Sequence, residues 1–346
     1  MRFGFGFALI LAAVLQAAGS APLAQPMEPL AVARLLAAKY PAQPVMSYIP
    51  ALSWANSLRL TELTGEARWQ EKAIQEMTAL AADREKATAE PRRLTTLAGA
   101  LAFADAGALT RNTAFQTLAN DVAAMVTPQQ PGDLVRYATG WTDDMFMTSA
   151  VLARGASTDH ATLLGNLLMA YAGRLQRPDG IFVHATDGPF AWGRGNGFAL
   201  LGVTEALTHL PASWSARPRA LEIYRTHVAA LVKLQSDDGS WRQVLDEPAS
   251  YRELTVTAMT TAAMARGVRL GWLERQTFEP VINRGWDAVA ARVNPDGAVK
   301  DVCSGTGAGP TKDYYLNRPV VNGADDRGGA MALLAALEVE LLRRSR

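Results

Sequence analysis

The sequence predicts an all-α fold: six helical hairpins closed into a toroid, with a pocket at one end. Three observations predict it. Apolar residues recur at helical spacing, as in Leu163, Leu164, Leu167, Leu168 and Tyr171. The same holds for Leu254, Ala258, Met259, Ala262 and Ala263, and for Ala330, Leu333, Leu334, Leu337 and Leu341. Alternating strand patterns are scarce. Short and long connections alternate, which in antiparallel hairpins gathers all the long connections at one end.

Taken in order, residues 1–25 read as a secretory signal peptide. Arg2 precedes an apolar run from Phe3 to Ala18, followed by Gly19, Ser20 and Ala21. The run is short for a bilayer span, and a retained anchor is the other reading. Residues 26–346 then form one domain, because no later stretch has the composition of a linker. Inner helices are expected to start near residues 48, 93, 143, 194, 253 and 327. Long links precede the later ones: Thr127 to Gly140, Arg177 to Trp192, Ser236 to Tyr251 and Asn294 to Asp326. Short links run from Gly155 to Thr158, Pro211 to Ser215 and Gly267 to Leu273. An open solenoid keeps a regular repeat. Here the long links grow and vary, as loops around a site do, which favours a closed ring.

The bulk numbers exclude several function classes. The chain has 346 residues, 49% hydrophobic and 19% charged, so a large core is expected. A net charge of +1 without a basic block argues against nucleic-acid binding. Cys303 is the one cysteine, and His160, His184, His209 and His227 are scattered without ligand spacing. No disulfide framework, metal site or cofactor is expected. After the leader, no stretch is apolar enough to cross a membrane.

The densest chemistry lies in Gly140-Trp141-Thr142-Asp143-Asp144-Met145-Phe146-Met147. Adjacent helix residues point about 100° apart, so the two carboxylates serve different places. One reading is a pair of acids stabilising a helix start. The other puts one acid in a pocket under Trp141, where an aromatic wall favours the protonated form. His184 follows a turn at Asp179-Gly180 and reads either as structural or as part of a site. Trp192-Gly193-Arg194-Gly195-Asn196-Gly197 has no strand before it, so it is not a nucleotide loop. It reads as a tight turn presenting Trp192 for stacking and Arg194 for a carboxylate. Trp241, in Asp238-Gly-Ser-Trp-Arg-Gln243, is either a core anchor or a site residue. Aromatics with arginine suit an acidic sugar.

These motifs, with Ser250-Tyr-Arg-Glu253 and Arg266-Gly-Val-Arg-Leu-Gly-Trp272, resemble the unsaturated glycuronyl hydrolases of glycoside hydrolase families 105 and 88. The unsaturated rhamnogalacturonyl hydrolase branch is the nearer match. The resemblance runs from about residue 45 to the C-terminus and implies an (α/α)6 barrel. It implies a substrate already cut by a polysaccharide lyase, ending in a 4-deoxy uronic acid with a C4=C5 double bond. One aspartate protonates C4 and then helps water attack C5, without metal. By motif position that aspartate is Asp143. His184, Trp192 and Arg194 match sugar-lining positions, with Arg194 holding the uronate carboxylate. Trp141, Asp144, Met147, Phe198 and Trp241 complete the expected substrate-binding set.

The chain departs from the family pattern at three places. Phe198 stands where a tryptophan is frequent, and Arg327 where a histidine often precedes the glycine. Arg93, Leu94, Thr95 and Thr96 occupy a stretch where a second aspartate is expected. The expected activity is release of the unsaturated uronic acid from pectin- or rhamnogalacturonan-derived oligosaccharides, in the periplasm or outside the cell. A polysaccharide lyase and a non-catalytic oligosaccharide-binding protein are the alternatives.

Overall fold

The computed structural model describes Met1 and residues 27–130, 133–155 and 157–345. The leader expected over residues 1–25 falls outside the described residues apart from Met1. The chain begins with α1 (Pro29–Lys39), α2 (Tyr48–Thr64), α3 (Arg68–Ala81) and the single-turn α4 (Arg84–Ala87). It continues through α5 (Leu94–Leu97), α6 (Ala100–Thr110), α7 (Thr113–Val126), α8 (Asp143–Leu152) and α9 (Thr158–Leu175). Then come α10 (Gly193–His209), α11 (Arg217–Lys233), α12 (Leu254–Arg269), α13 (Arg275–Ala290), α14 (Lys312–Leu316) and α15 (Asp326–Arg344).

The helices pack as two concentric rings. The inner ring runs α2, α5 with α6, α8, α10, α12 and α15, and α15 returns to α2. Each of α3, α7, α9, α11 and α13 packs outside the inner helix it follows, and α1 packs on α15. This is the (α/α)6 barrel expected from the link pattern. The second inner helix is broken, with α5 separated from α6 by Ala98 and Gly99.

Burial explains which helices go inside. Every residue from Leu254 to Val268 of α12 is buried, as is every residue from Gly193 to Leu207 of α10. A helix buried all round has no solvent stripe to define. Outer α3 buries only Trp69, Ala73, Met77 and Ala81, one face at a spacing of four. Close approach is set by small residues. A Cβ on Gly202 of α10 would lie 2.5 Å from the Met145 carbonyl of α8.

The long links hold two small antiparallel ladders that the sequence reading did not contain. Strand β1 (Trp241–Arg242) pairs with β2 (Arg252–Glu253), and β3 (Val299–Cys303) pairs with β4 (Val320–Gly323).

At the C-terminal ends of the inner helices, buried charges link all six. Arg59 of α2 and Arg266 of α12 each lie 2.6 Å from the same Glu338 oxygen on α15. Arg266 also reaches Glu205 of α10 at 2.6 Å, and Arg154, just past α8, reaches Glu205 at 2.7 Å. Arg154 then bonds Asp105 of α6 at 2.7 Å. Burial pushes the Glu338 carboxyl up, but Arg266, Arg59 and Arg269 overcome it and bring it down to about 2. Burial likewise opposes Arg154, Arg266 and His209 at Glu205, and the charges win, holding it well below the usual range.

A depressed folded-state pKa stabilises above the unfolded carboxylate value and is lost as pH falls through the folded one. Stability is therefore expected to decline as pH is lowered from about 5 to about 2. Glu338→Gln removes the acid shared by Arg59, Arg266 and Arg269 and should cost about 3–5 kcal/mol in denaturant unfolding at neutral pH. The acid-induced decline should be shallower in that variant.

Candidate active site

The N-terminal ends of the inner helices surround a cavity of about 640 Å³, within the range of small-ligand sites. It is lined by Tyr48, Arg93, Trp141, Asp143, Trp192 and Arg327 among others. A cavity of similar size, about 650 Å³, lies beside the short links around Trp214 and His209, but no carboxylate lines it.

Asp143 opens α8 and is partly buried on the cavity wall. Its Oδ2 lies 3.2 Å from His184 Nε2. The backbone fixes this pair, because Thr142 N–H donates to the His184 carbonyl at 2.9 Å. His184 is fully buried, with ring centroids 5.4 Å from Trp141 and 4.4 Å from Trp192. Its Nδ1 lies 2.9 Å from the Tyr315 hydroxyl.

Asp144 points away from this group. Its carboxylate accepts from Thr139 N–H and Gly140 N–H, both at 2.8 Å, from the Thr139 hydroxyl at 3.1 Å and from the Tyr171 hydroxyl at 2.6 Å. Burial raises its pKa, against the bonds from Tyr171 and Gly140. Asp144 borders the cavity, but its oxygens are spent clasping the 139–140 turn that carries Trp141. Gly140 makes that turn at φ 83°.

Arg194 lines the cavity too. It is buried and donates to the Cys303 carbonyl at 2.8 Å and the Ser304 carbonyl at 2.7 Å. Its guanidinium stacks over Trp192 at 4.6 Å. These bonds fasten the segment leading to Gly305 and Thr306 on the cavity wall. Glu253 holds the same segment, accepting from Cys303 N–H at 2.9 Å.

The glycines of Trp192–Gly197 form no separate turn but the first turn of α10. A Cβ on Gly193 would lie 2.5 Å from the Arg242 carbonyl, and one on Gly195 2.7 Å from the Thr142 hydroxyl. They let α10 start against two neighbours. The Trp192 indole N–H is buried without a partner beside the cavity.

Phe198 lines the cavity and packs edge-on to Tyr48 at 5.5 Å. Met147 and Trp241 do not line it. Met147 is fully buried in α8, one turn along from Asp143. Trp241 is fully buried at the outer wall, its indole donating to the Leu231 carbonyl at 2.8 Å, so its core-anchor reading holds. Sequence reasoning missed Tyr48 and Tyr315, and it named Arg93 and Arg327 only as departures. The signal present was their position, at inner-helix starts or in the longest link.

Arg93 is exposed at the rim, and its side chain makes no hydrogen bond or ion pair with any described residue. Arg327 is deeper, beside Tyr48, and its guanidinium donates to the Cys303 carbonyl at 3.4 Å. Among the described residues, no group of three or more His, Cys, Asp or Glu side chains is placed to hold a metal. None of the described helices is long and apolar enough to cross a membrane.

The α/α barrel is the fold of solved structures described as glycoside hydrolases of families 88 and 105. Residues 182–343 match the model of Glycosyl Hydrolase Family 88, which bears out the resemblance seen in the motifs. A relative from Alteromonas sp. (strain LOR), "Unsaturated 3S-rhamnoglycuronyl hydrolase", is 34% identical over 113 residues. That alignment covers 32% of this chain and 27% of the relative, so it spans about a quarter of the curated protein. Among solved structures, a family 105 glycoside hydrolase from C. acetobutylicum ATCC 824 superposes with a TM-score of 0.78 at 18% identity. It covers 89% of this chain and 99% of that one. A protein described as a polysaccharide lyase superposes at 0.74 and 17% identity, covering 91% and 98%. At such identities the likeness shows the fold alone.

Removing the Tyr171 hydroxyl leaves a buried Asp144 oxygen short of a donor. Tyr171→Phe should lower unfolding stability by about 1–3 kcal/mol, measured by denaturant titration.

Proposed function

We propose that the protein is a glycoside hydrolase acting on the 4,5-unsaturated uronic acid at the non-reducing end of lyase-generated oligosaccharides. The observation that carries the reading is Asp143, set against His184 in a cavity rich in arginine. The family 88 match across the half of the chain containing His184, Trp192 and Arg194 supports it.

In this reading protonated Asp143 gives its proton to C4 of the vinyl ether, and positive charge develops at C5 and the ring oxygen. Asp143, now a carboxylate, takes a proton from the water that adds to C5. The resulting hemiketal opens, and the C1 hemiacetal expels the neighbouring sugar. The net change is addition of one water to the double bond followed by rearrangement, with Asp143 restored. Two carboxylates flanking the anomeric carbon are not required, unlike ordinary glycoside hydrolysis.

The acidic substrate fits the site's charge. Arg327 lies on the inner wall and suits the uronate carboxylate, the role expected of Arg194. Arg93 stands free at the rim and suits an anionic substituent, such as a sulfate, on the next sugar. Rhamnose in a pectin- or rhamnogalacturonan-derived oligosaccharide is the neighbouring sugar that the motif resemblance favours. The sequence of residues 1–25 supports action in the periplasm or outside the cell.

Addition of lyase-cut oligosaccharides should remove their ultraviolet absorbance. A rise in absorbance from uncut polysaccharide would show a lyase instead, a live alternative because a described lyase shares this fold. Binding without any absorbance change would show a non-catalytic sugar-binding protein. Asp143→Asn should cut turnover by about 10²- to 10⁴-fold with the thermal midpoint unchanged. Near-full activity would remove Asp143 from its role. Arg93→Ala should raise KM roughly 2- to 5-fold for a sulfated disaccharide, the worth of an exposed ion pair, and leave the unsulfated one unaffected.

A further inference from the structure

We propose that Tyr315 is a positioning residue that fixes the tautomer of His184, so that His184 holds Asp143 Oδ2 and leaves Oδ1 to carry the catalytic proton. The proposal rests on Asp143 as the acid, but its structural half is independent of substrate.

The argument is an accounting of hydrogens. Tyr315 sits on α14, in the longest link, and is fully buried. Its hydroxyl has two partners. Gly309 N–H lies 3.1 Å away and can only donate. His184 Nδ1 lies 2.9 Å away. Burial, against the Gly309 bond, pushes the Tyr315 phenol up to about 12, so it keeps its proton at neutral pH. That proton needs an acceptor, and His184 Nδ1 is the one within reach. Nδ1 therefore carries no hydrogen. A neutral ring then bears its hydrogen on Nε2, which faces Asp143 Oδ2 at 3.2 Å and donates to it.

The consequence for Asp143 is regiochemical. With Oδ2 engaged by a donor, the acid proton resides on Oδ1. A fixed oxygen for proton delivery means the acid need not rotate between giving a proton to C4 and taking one from water. The groups around His184 are compatible with one ring state. Asp143 faces it from α8, Tyr315 and Tyr314 lie on α14, and Asp187 is on its own loop. Arg194 lies on α10, behind Trp192. The Tyr315 ring packs against Phe190 and Tyr314 at 5.5 and 5.2 Å, so Tyr315→Phe keeps the packing and removes only the hydroxyl.

The test is long-range proton–nitrogen correlation on full-length protein labelled with ¹⁵N-histidine. His184 should show the neutral Nε2–H form in the wild type and mixed tautomers in Tyr315→Phe. An Nδ1–H ring or an imidazolium in the wild type at neutral pH would overturn the proposal, as would an unchanged ring in the variant. Absence of hydrolysis, with the tautomer as expected, would count against the enzymatic reading and not against the tautomer. With active protein, Tyr315→Phe should lower kcat about 10- to 10²-fold with KM within a factor of two, the scale for partners that orient a working histidine. A variant with reduced stability and raised KM but the wild-type tautomer would reduce Tyr315 to a packing residue.

Discussion

The shared carboxylate of Glu338, with Glu205 beside it, is the constraint on which the barrel depends. Through Arg59, Arg266, Arg154 and Asp105 these two acids touch every inner helix. Apolar packing alone would allow neighbouring inner helices to slide, since Leu, Ala and Met faces are interchangeable. Charges buried in fixed geometry tolerate no such slippage, because a displaced helix leaves an unpaired ion out of water. Arginines near helix C-termini are also favoured by the helix dipoles. Registration at that end frees the other to be open.

That division gives the molecule its polarity. Residues at the N-terminal ends of α2, α5, α8, α10 and α15 line the cavity, so positive helix ends face it along with Arg93 and Arg327. An acidic ligand is drawn to such a place.

Much of the barrel could be read from residue order. Inner helices start at Tyr48, Leu94, Asp143, Gly193, Leu254 and Asp326, each within a residue or two of the position inferred from the links. Link length is a local property and survives folding unchanged. What escaped was whatever depends on which side chains meet. The arginine of Trp192-Gly-Arg194 also holds the Cys303 and Ser304 carbonyls, which lie more than a hundred positions away. Trp241 and Trp192 follow similar glycine-rich signals, yet one faces the outer wall and the other the cavity. Met147 shares a motif with Asp143 but stands a helical turn deeper. Tyr315 had no motif at all, only membership of a long link, and the short strands in the links were too brief to show an alternating pattern.

The ring is closed by its two extremes. Helix α1 packs on α15, and Arg343 donates to Glu28 across 315 positions of chain. Until α15 is in place, the apolar face of α1 formed by Val32, Ala33, Leu36 and Ala37 lacks its main cover. Closure of the inner ring by α15 against α2 and the seating of α1 thus both wait on the last helix, an arrangement whose closure entropy slows assembly. A chain emerging from its N-terminus must keep that face from other partners until the last helix arrives, so premature release of an incomplete chain exposes a sticky seam, not a smaller barrel.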